Sequence, residues 1–270
     1  MDHRWWLTRA AVLCGVYGLV CGIACVRHRS LLYPAPPRET PSRDAVLEWV
    51  QGNDGEGETF ALCAFAQRPD ARTIVHFHGN GEQVASLEQF ARSAHERGLG
   101  YCAIEYPGYG MLSQRAPSET SIYRAAESTL RQLEQRGVRR SQMVLTGQSL
   151  GTGVATEMAT RGWGSRLVLL SPYTSIVDVA QRLVVVLPAA LIIRDRFDTR
   201  SKAPSVRVPV LIVHGAEDTL IPVEMGRGLS RLFPRARFVE LAGRGHNDLF
   251  ADRARPVWPM IIEFAQDRSS

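Results

Sequence analysis

A short motif near the middle of the chain has the pattern that presents a reactive serine: GQSLG at 147–151, with Ser149 at its centre. A G-x-S-x-G motif is typical of a sharp turn between a strand and a helix. The serine there has a strained backbone, and the flanking glycines prevent clashes. The residues before the motif predict a strand and those after it predict a helix. We therefore interpret Ser149 as a nucleophile.

A nucleophilic serine requires a base, because its hydroxyl reacts poorly at neutral pH unless another group accepts the proton. His246 has the most suitable setting of the seven histidines. It lies in a glycine-containing loop, GRGHND, directly after the last predicted strand. We predict that His246 accepts the proton of Ser149.

An acidic side chain must orient the imidazole and stabilise its charged form. Asp218 follows the predicted strand VLIVHG, in a loop at the carboxyl edge of the sheet, where catalytic groups gather in open α/β sheets. Glu217 is the neighbouring alternative, and Asp195 or Asp198 are more distant ones. Asp248 is only two residues from the histidine and is expected to brace its loop. Asp218 is the predicted acid.

Backbone amides must stabilise the negative charge that develops on the substrate oxygen. One predicted donor is the amide of Leu150, immediately after the nucleophile. The second is expected in the loop HGNG at 78–81, where the glycines let the chain turn back and leave the Asn80 amide pointing inward. Asn80 and Leu150 are thus the predicted oxyanion hole.

Neither a metal nor a nucleic acid is an expected partner. His76 and His78 alternate along one strand, but no third ligand accompanies them in the sequence. We therefore predict a structural role for both histidines, and we predict neither a metal nor another cofactor. The formal net charge of +5 is not gathered into a basic block, which argues against nucleic-acid binding.

Strand and helix patterns alternate along the chain and predict a sheet wound on both sides. Several strand-like runs are continuously apolar, as expected when helices cover both faces of a parallel sheet. Eight strands are predicted, at Ala45–Val50, Thr59–Ala66, Arg72–His78, Leu99–Glu105, Gln142–Gly147, Arg166–Ser171, Val208–His214 and Ala236–Leu241.

One interval, 172–208, breaks this alternation and is predicted to be a small cap over the site. It contains the uncharged run LVVVLPAALII at 183–193, whose other interpretation is a buried helix interrupted by Pro188. Elsewhere the connecting segments have helical patterns, at Glu82–Arg97, Pro117–Gly137, Ser149–Arg161, Val223–Leu232 and Pro256–Ala265.

An uncharged segment, Ala10–Val26, lies near the N-terminus and is long enough to approach the thickness of a membrane. The favoured interpretation of residues 1–30 is a signal anchor, with Trp5 and Trp6 at the membrane interface. A cleaved signal peptide is the first alternative and a lipid-modified Cys25 the second. Membrane attachment is therefore predicted, through a single N-terminal helix.

The residues that follow the apolar segment, 31–42, are rich in proline and predict an extended linker to a catalytic domain at 43–270. Two arginines precede the segment and two follow it, so the charges flanking it do not decide the topology. We expect the catalytic domain outside the cytoplasm, and a secreted or periplasmic protein if the segment is cleaved.

Two of the five cysteines, Cys63 and Cys102, lie in predicted strands of the catalytic domain. Free cysteine is commonly buried, so a pair of buried thiols is the favoured interpretation. A disulfide between them is the alternative if the domain is exported.

The chain also carries a set of motifs that occur together in one family: RSLLYP at 29–34, HFHGNGE at 76–82, EYPGYG at 105–110, PSE at 117–119, GQSLG at 147–151, SPYTS at 171–175, RDRFDT at 194–199, PVLIVHGAEDTLIP at 209–222 and GHNDL at 245–249. In this combination the chain resembles the membrane-anchored α/β-hydrolase-domain serine hydrolases, which are related to the fungal bud-emergence hydrolases. The resemblance spans nearly the whole chain.

This resemblance implies the α/β-hydrolase fold, with a mostly parallel eight-stranded sheet, helices on both faces and a small cap that includes RDRFDT. It also implies a triad of Ser149, Asp218 and His246, with the amides of Asn80 and Leu150 as the oxyanion hole. Family members hydrolyse carboxylic esters or thioesters.

The predicted function is hydrolysis of acyl or lipid-like esters or thioesters through an acyl-serine intermediate. Tyr106 and Tyr173, in the EYPGYG and SPYTS motifs, are candidates for lining the substrate pocket. Cleavage of amides or peptides is a second enzymatic possibility. A binding protein built on an inactive hydrolase fold is the alternative of another class.

Overall fold

The computed structural model describes residues 3–39, 44–250 and 257–267, and an eight-stranded sheet forms its centre. The apolar runs that predicted strands form them because helices cover both faces of the sheet. The strands are β1 (Glu48–Asn53), β2 (Glu58–Ala64), β3 (Thr73–Phe77), β4 (Gly100–Ile104), β5 (Met143–Gln148), β6 (Arg166–Leu170), β7 (Val210–Gly215) and β8 (Ala236–Leu241).

The strands are arranged in the order β1-β2-β4-β3-β5-β6-β7-β8. β1 pairs antiparallel with β2, and β2 antiparallel with β4, while all other neighbours are parallel. The predicted mostly parallel eight-stranded sheet is confirmed. β1 lies three residues later than predicted, because its pairing with β2 runs from Glu48 opposite Cys63 to Asn53 opposite Glu58.

Nine α-helices connect or flank these strands among the described residues. Two apolar clusters hold them to the two faces of the sheet, since alternate residues of each strand face opposite sides. The helices are α1 (His3–Leu32), α2 (Glu88–Glu96), α3 (Glu119–Gln135), α4 (Leu150–Thr160), α5 (Ile176–Leu183), α6 (Ala189–Ile192), α7 (Thr199–Lys202), α8 (Val223–Ser230) and α9 (Val257–Gln266).

The interval 172–208 contains the short helices α5, α6 and α7. The segment between α5 and α6 is not a buried helix, because Leu183–Val186 are all exposed and Pro188 separates the two helices. Within the run 183–193, the buried residues are Ala189, Ile192 and Ile193, which form a small apolar cluster. We refer to residues 172–208 as the cap.

The N-terminal helix α1 is apolar and exposed over most of its length. Its stretch Arg9–Leu32 is long and apolar enough to cross a membrane, and its apolar 18-residue window, with a mean hydropathy of 1.9, contains no buried residue. The helix continues to Leu32, two residues beyond the predicted boundary.

The segment after α1 lies against the part of the chain that contains the sheet. Residues 33–39 form neither helix nor strand, but Gln83 binds the last part of the stretch: its Nε2 donates to the Pro37 carbonyl at 2.8 Å, and its Oε1 accepts from the Glu39 amide at 3.0 Å. The rest of the predicted linker, 40–42, lies outside the described residues, as does residue 43.

A disulfide joins Cys63 of β2 to Cys102 of β4. The favoured prediction of two buried thiols is therefore wrong. The reason is register, since the antiparallel pairing of the two strands places Cys63 directly opposite Cys102, with 4.1 Å between their Cα atoms. A strand register of this kind cannot be read from the apolar pattern alone.

Candidate active site

Ser149 lies on a strained turn between β5 and α4. Its φ of 48° and ψ of −117° place it in a region that L-residues rarely adopt. The glycines of the motif are needed for space: a Cβ on Gly147 would lie 2.3 Å from the Gly151 carbonyl oxygen, and one on Gly151 would lie 1.9 Å from the Phe77 carbonyl oxygen. The sequence thus builds the turn that lifts the Ser149 hydroxyl away from the sheet.

The structure brings Ser149, His246 and Asp218 together from three loops at the carboxyl edge of the sheet. His246 Nε2 lies 3.0 Å from Ser149 Oγ, and His246 Nδ1 lies 2.7 Å from Asp218 Oδ2. A carboxylate only accepts hydrogen bonds, so Nδ1 carries the proton and Nε2 is left to accept that of the serine. These distances meet the geometric requirement for base-assisted nucleophilic attack.

The Asp218 carboxylate is buried and well supplied with donors. Its Oδ1 accepts the amides of Leu220 and Ile221 at 3.0 and 2.7 Å. Burial alone would raise the pKa of Asp218, but the hydrogen bonds from His214 and His246, together with that from the Ile221 amide, outweigh it and lower the pKa. Asp218 is therefore ionised at neutral pH and can stabilise a positive charge on His246.

His214 is a neighbour of Asp218 that the sequence analysis did not assign to the site. It is fully buried at the end of β7, and its Nε2 lies 3.4 Å from Asp218 Oδ2 and 2.8 Å from the Ile221 carbonyl oxygen. Both contacts hold the loop that carries the acid. A histidine four residues before the acid is the signal that the sequence offered.

The other carboxylates considered for the triad lie elsewhere. Glu217 is exposed, Asp195 pairs with Arg29 at 3.0 Å, and Asp198 accepts the Ser201 amide at the start of α7. Asp248 braces the histidine loop as predicted, since its Oδ1 accepts the Gly245 amide at 2.6 Å.

The two predicted oxyanion donors lie beside the nucleophile. Neither the Asn80 amide nor the Leu150 amide donates a hydrogen bond to another described residue. The Gly79 amide, by contrast, donates to Glu82 Oε2 at 2.6 Å, and a Cβ on Gly79 would lie 3.4 Å from the Ser149 Cβ. The loop therefore passes close to Ser149 and leaves two backbone donors available next to it.

The Asn80 side chain links this loop to the end of α1. Its Nδ2 donates to the Leu32 carbonyl at 2.5 Å, and its Oδ1 accepts the Tyr109 hydroxyl. Arg29, one turn before Leu32, pairs with the cap residue Asp195. Sequence reasoning missed these contacts, although RSLLYP, EYPGYG and RDRFDT had been recognised as motifs.

His76 of β3 and His78, which directly follows β3, are structural groups within the core. His78 is fully buried, with Nδ1 donating to the Gly79 carbonyl at 2.9 Å and Nε2 3.3 Å from Glu105 Oε1. A carboxylate thus does accompany His78, contrary to the expectation from sequence. Burial, with a smaller effect from His78, lowers the pKa of His76 to about 3, so His76 is neutral. No group of three or more His, Cys, Asp or Glu side chains among the described residues is placed to hold a metal ion.

Tyr106 and Tyr173 lie beneath the site and do not form an open pocket wall. They are 0% and 1% exposed. The Tyr106 hydroxyl donates to the His78 carbonyl at 3.2 Å, and that of Tyr173 donates to the Leu150 carbonyl at 3.1 Å. Each hydroxyl therefore supports a segment that carries a predicted oxyanion donor, from the side away from solvent.

Comparison with known proteins finds a matching family model and similar α/β-hydrolase-domain proteins. A family model described as serine aminopeptidase, S33, matches residues 68–197, a range that includes Ser149 and Asn80 but ends before Asp218 and His246. The α/β-hydrolase domain-containing protein 17B of Xenopus tropicalis is 31% identical over 241 residues, which are 86% of this chain and 81% of the relative. The human protein of the same name is 31% identical over 77% of this chain and 71% of its own length.

A solved structure has the same fold at lower identity. An esterase from Exiguobacterium antarcticum superimposes with a TM-score of 0.62 and 19% identity, covering 81% of this chain and 99% of the esterase. Together with the sheet order, the elbow at Ser149 and the relatives at 31% identity, this establishes that the chain is a hydrolase of the α/β-hydrolase superfamily.

Proposed function

We propose that the protein is a membrane-anchored serine hydrolase that cleaves carboxylic esters or thioesters of acyl or lipid-like substrates. The observation that carries this proposal is the continuous arrangement of Ser149 Oγ, His246 and Asp218, with 3.0 and 2.7 Å between successive partners. The fold shared with a solved esterase supports ester chemistry.

In the first half of the reaction, Ser149 Oγ attacks the substrate carbonyl carbon while His246 Nε2 takes the serine proton. The carbonyl oxygen becomes negative and receives hydrogen bonds from the Asn80 and Leu150 amides. When this intermediate collapses, the bond to the alcohol or thiol breaks, and the proton on His246 passes to the leaving group. An acyl-serine ester remains.

In the second half, water replaces the alcohol. His246 removes a proton from the water as it attacks the acyl carbon, and then returns that proton to Ser149 Oγ as the acid leaves. Asp218 stays ionised throughout and stabilises the imidazolium in both halves. The balanced reaction consumes one ester or thioester and one water, and releases a carboxylic acid with the alcohol or thiol.

The membrane part of the proposal rests on α1 and on the disulfide. The stretch Arg9–Leu32 has the length of a membrane span, and its end is hydrogen-bonded to Asn80 in the loop 78–81, which we call the oxyanion loop. The flanking arginines do not decide the topology, but disulfides persist mainly outside the cytoplasm. The disulfide between Cys63 and Cys102 therefore favours a catalytic domain on the outer side of the membrane.

Amide cleavage is the second candidate, because the matching family model is described as an aminopeptidase. The two chemistries share the triad and differ in the leaving group, so the same purified protein can be tested for both.

The test is hydrolysis by the full chain in phospholipid nanodiscs. Para-nitrophenyl esters, an acyl thioester and aminoacyl para-nitroanilides would be compared, with Ser149→Ala as the active-site variant and Ser141→Ala, at an exposed position, as the matched control. We expect ester or thioester hydrolysis that falls about 10³-fold or more in Ser149→Ala and is unchanged in Ser141→Ala. Cleavage of the anilides alone would replace the proposal with the peptidase alternative. A folded protein that cleaves none of them would replace it with a binding function.

A further inference from the structure

An apolar cavity lies between the last turns of α1 and the cap. Its volume is about 160 Å³, and its walls are almost entirely apolar. Ala24, Leu31 and Leu32 of α1 form one wall, and the cap forms the other through residues that include Ala180 and Ala189. His28 is the polar side chain in the lining, and its Nδ1 donates to the Cys25 carbonyl of its own helix at 2.7 Å. Such a cavity excludes charged ligands and favours hydrocarbon.

The mouth of this cavity is continuous with the face that α1 would present to lipid. The neighbouring cap segment exposes Leu183–Val186, and Leu191 is 83% exposed. The segment is held against α1 by the Tyr17 hydroxyl, which donates to the Val186 carbonyl at 2.9 Å. Tyr17 precedes the end of α1 by 15 residues, or about 22 Å along the helix axis. A span formed by α1 therefore places this exposed apolar segment inside the hydrocarbon layer.

One wall of the cavity is linked to the loop beside the nucleophile through Leu32. The Leu32 side chain is part of the wall, while the Leu32 carbonyl accepts the side-chain amide of Asn80. Asn80 follows Gly79, which passes next to Ser149. Leu32 thus connects the wall of the cavity to the residue that supplies one predicted oxyanion donor.

We propose that this cavity binds the acyl chain of the substrate, which enters laterally from the membrane between α1 and the cap. The proposal rests on the proposed hydrolase function and adds the source of the substrate: an ester or thioester whose acyl chain resides in the bilayer. A cavity of about 150 Å³ holds a six-carbon ring, so about six carbons of the chain fit here. The membrane anchor is accordingly one wall of the substrate site.

Two variants that fill the cavity and one control test this. Ala189→Phe and Ala180→Phe place a ring in the cavity, whereas Ala190→Phe makes the same change at the adjacent exposed position, outside the lining. The full chain in phosphatidylcholine nanodiscs would be assayed with para-nitrophenyl esters from acetate to palmitate. For a short-chain ester that enters from water, burial of each methylene favours binding about fourfold, so kcat/KM in the wild type should rise with chain length up to the roughly six carbons that the cavity holds.

We expect the filled variants to lose the long-chain preference by tenfold or more, while acetate hydrolysis and the control stay within twofold of wild type. Acetate hydrolysis also shows that the variants fold, and Ala180→Phe, at a half-buried site, serves if Ala189→Phe does not fold. A long-chain preference that survives both folded variants, or is absent in the wild type, overturns the inference while leaving the hydrolase function intact.

A second measurement does not depend on catalysis. A palmitic acid with a diazirine in its chain would be cross-linked to the Ser149→Ala protein in the same nanodiscs, and the modified peptides identified by mass spectrometry. We expect adducts on 24–32 and 180–193 that disappear in Ala189→Phe but persist in Ala190→Phe. If these adducts form but the wild-type protein hydrolyses no ester or thioester, the cavity would be supported and the hydrolase function refuted. Their absence, or adducts unaffected by filling the cavity, would refute the cavity as the acyl site.

Discussion

The Asn80 side chain offers a way to measure how strongly the end of α1 positions the oxyanion loop. Asn80→Ala keeps the backbone amide that is predicted to bind the oxyanion, but removes the bond to the Leu32 carbonyl and the bond from the Tyr109 hydroxyl. Each such hydrogen bond contributes about 0.5–1.5 kcal/mol net, so about 1–3 kcal/mol of local restraint is lost. If that restraint holds the amide in place in the transition state, kcat falls by about 5- to 150-fold.

The size of the effect distinguishes positioning from direct catalysis. Complete loss of one oxyanion donor costs about 2.7–4 kcal/mol, or about 10²- to 10³-fold in kcat, which sets the upper limit for Asn80→Ala. Tyr109→Phe removes only one of the two bonds and should lower kcat by about 2- to 13-fold. The assay is steady-state hydrolysis of para-nitrophenyl butyrate in nanodiscs, with kcat and KM separated and thermal unfolding measured in parallel.

A positioning role predicts a loss in kcat at nearly constant KM and melting temperature. If kcat of Asn80→Ala equals that of the wild type, the reasoning is refuted, because the two side-chain hydrogen bonds would then have no effect on the position of the Asn80 backbone amide. A loss matched by an equal loss of folded protein would show that the side chain supports only the fold.

Three further predictions concern the acid, the elbow and the disulfide. Asp218→Asn should lower kcat about 10⁴-fold with little change in melting temperature. The asparagine side-chain oxygen can still accept hydrogen bonds from the loop amides, but the neutral side chain does not stabilise an imidazolium. Activity equal to wild type would exclude Asp218 as the acid. Gly151→Ala should abolish activity and lower stability, because its Cβ would lie 1.9 Å from a β3 carbonyl oxygen. Gly228→Ala, whose Cβ would have no neighbouring atom within 4 Å, should instead raise stability by up to about 1 kcal/mol. Thermal unfolding measures both effects, and a Gly151→Ala protein as stable as wild type would contradict the geometry. Titration of thiols in the denatured, unreduced protein should find three free cysteines, and five would contradict the disulfide. Replacing both Cys63 and Cys102 by alanine should lower the free energy of unfolding by about 4 kcal/mol, because the disulfide joins residues 39 positions apart.

Local patterns in the sequence were sufficient for the strands and for the outline of the site. The central strands β3 to β7 are buried on both faces, so each is a largely apolar run that can be recognised without knowing its neighbours. The elbow at Ser149 depends on glycines within two residues, and the order serine, acid, histidine identified Asp218 and His246. These features are local or follow from chain order.

Features that depend on distant contacts could not be predicted in this way. The pairing of Cys63 with Cys102 depends on strand register, and the ion pair between Arg29 and Asp195 joins residues 166 apart in the chain. The burial of Tyr106 follows from packing behind the oxyanion loop. In each case the sequence contained the residues but no local pattern that specified their partners.

The central claim is that Ser149 is an activated nucleophile, and covalent labelling tests it most directly. A fluorophosphonate probe would be reacted with the folded full chain, and the modified residue located by peptide mass spectrometry. We predict labelling of Ser149, no labelling in Ser149→Ala and unchanged labelling in Ser141→Ala. A folded wild-type protein that does not react, or a Ser149→Ala protein that reacts equally, would contradict the claim.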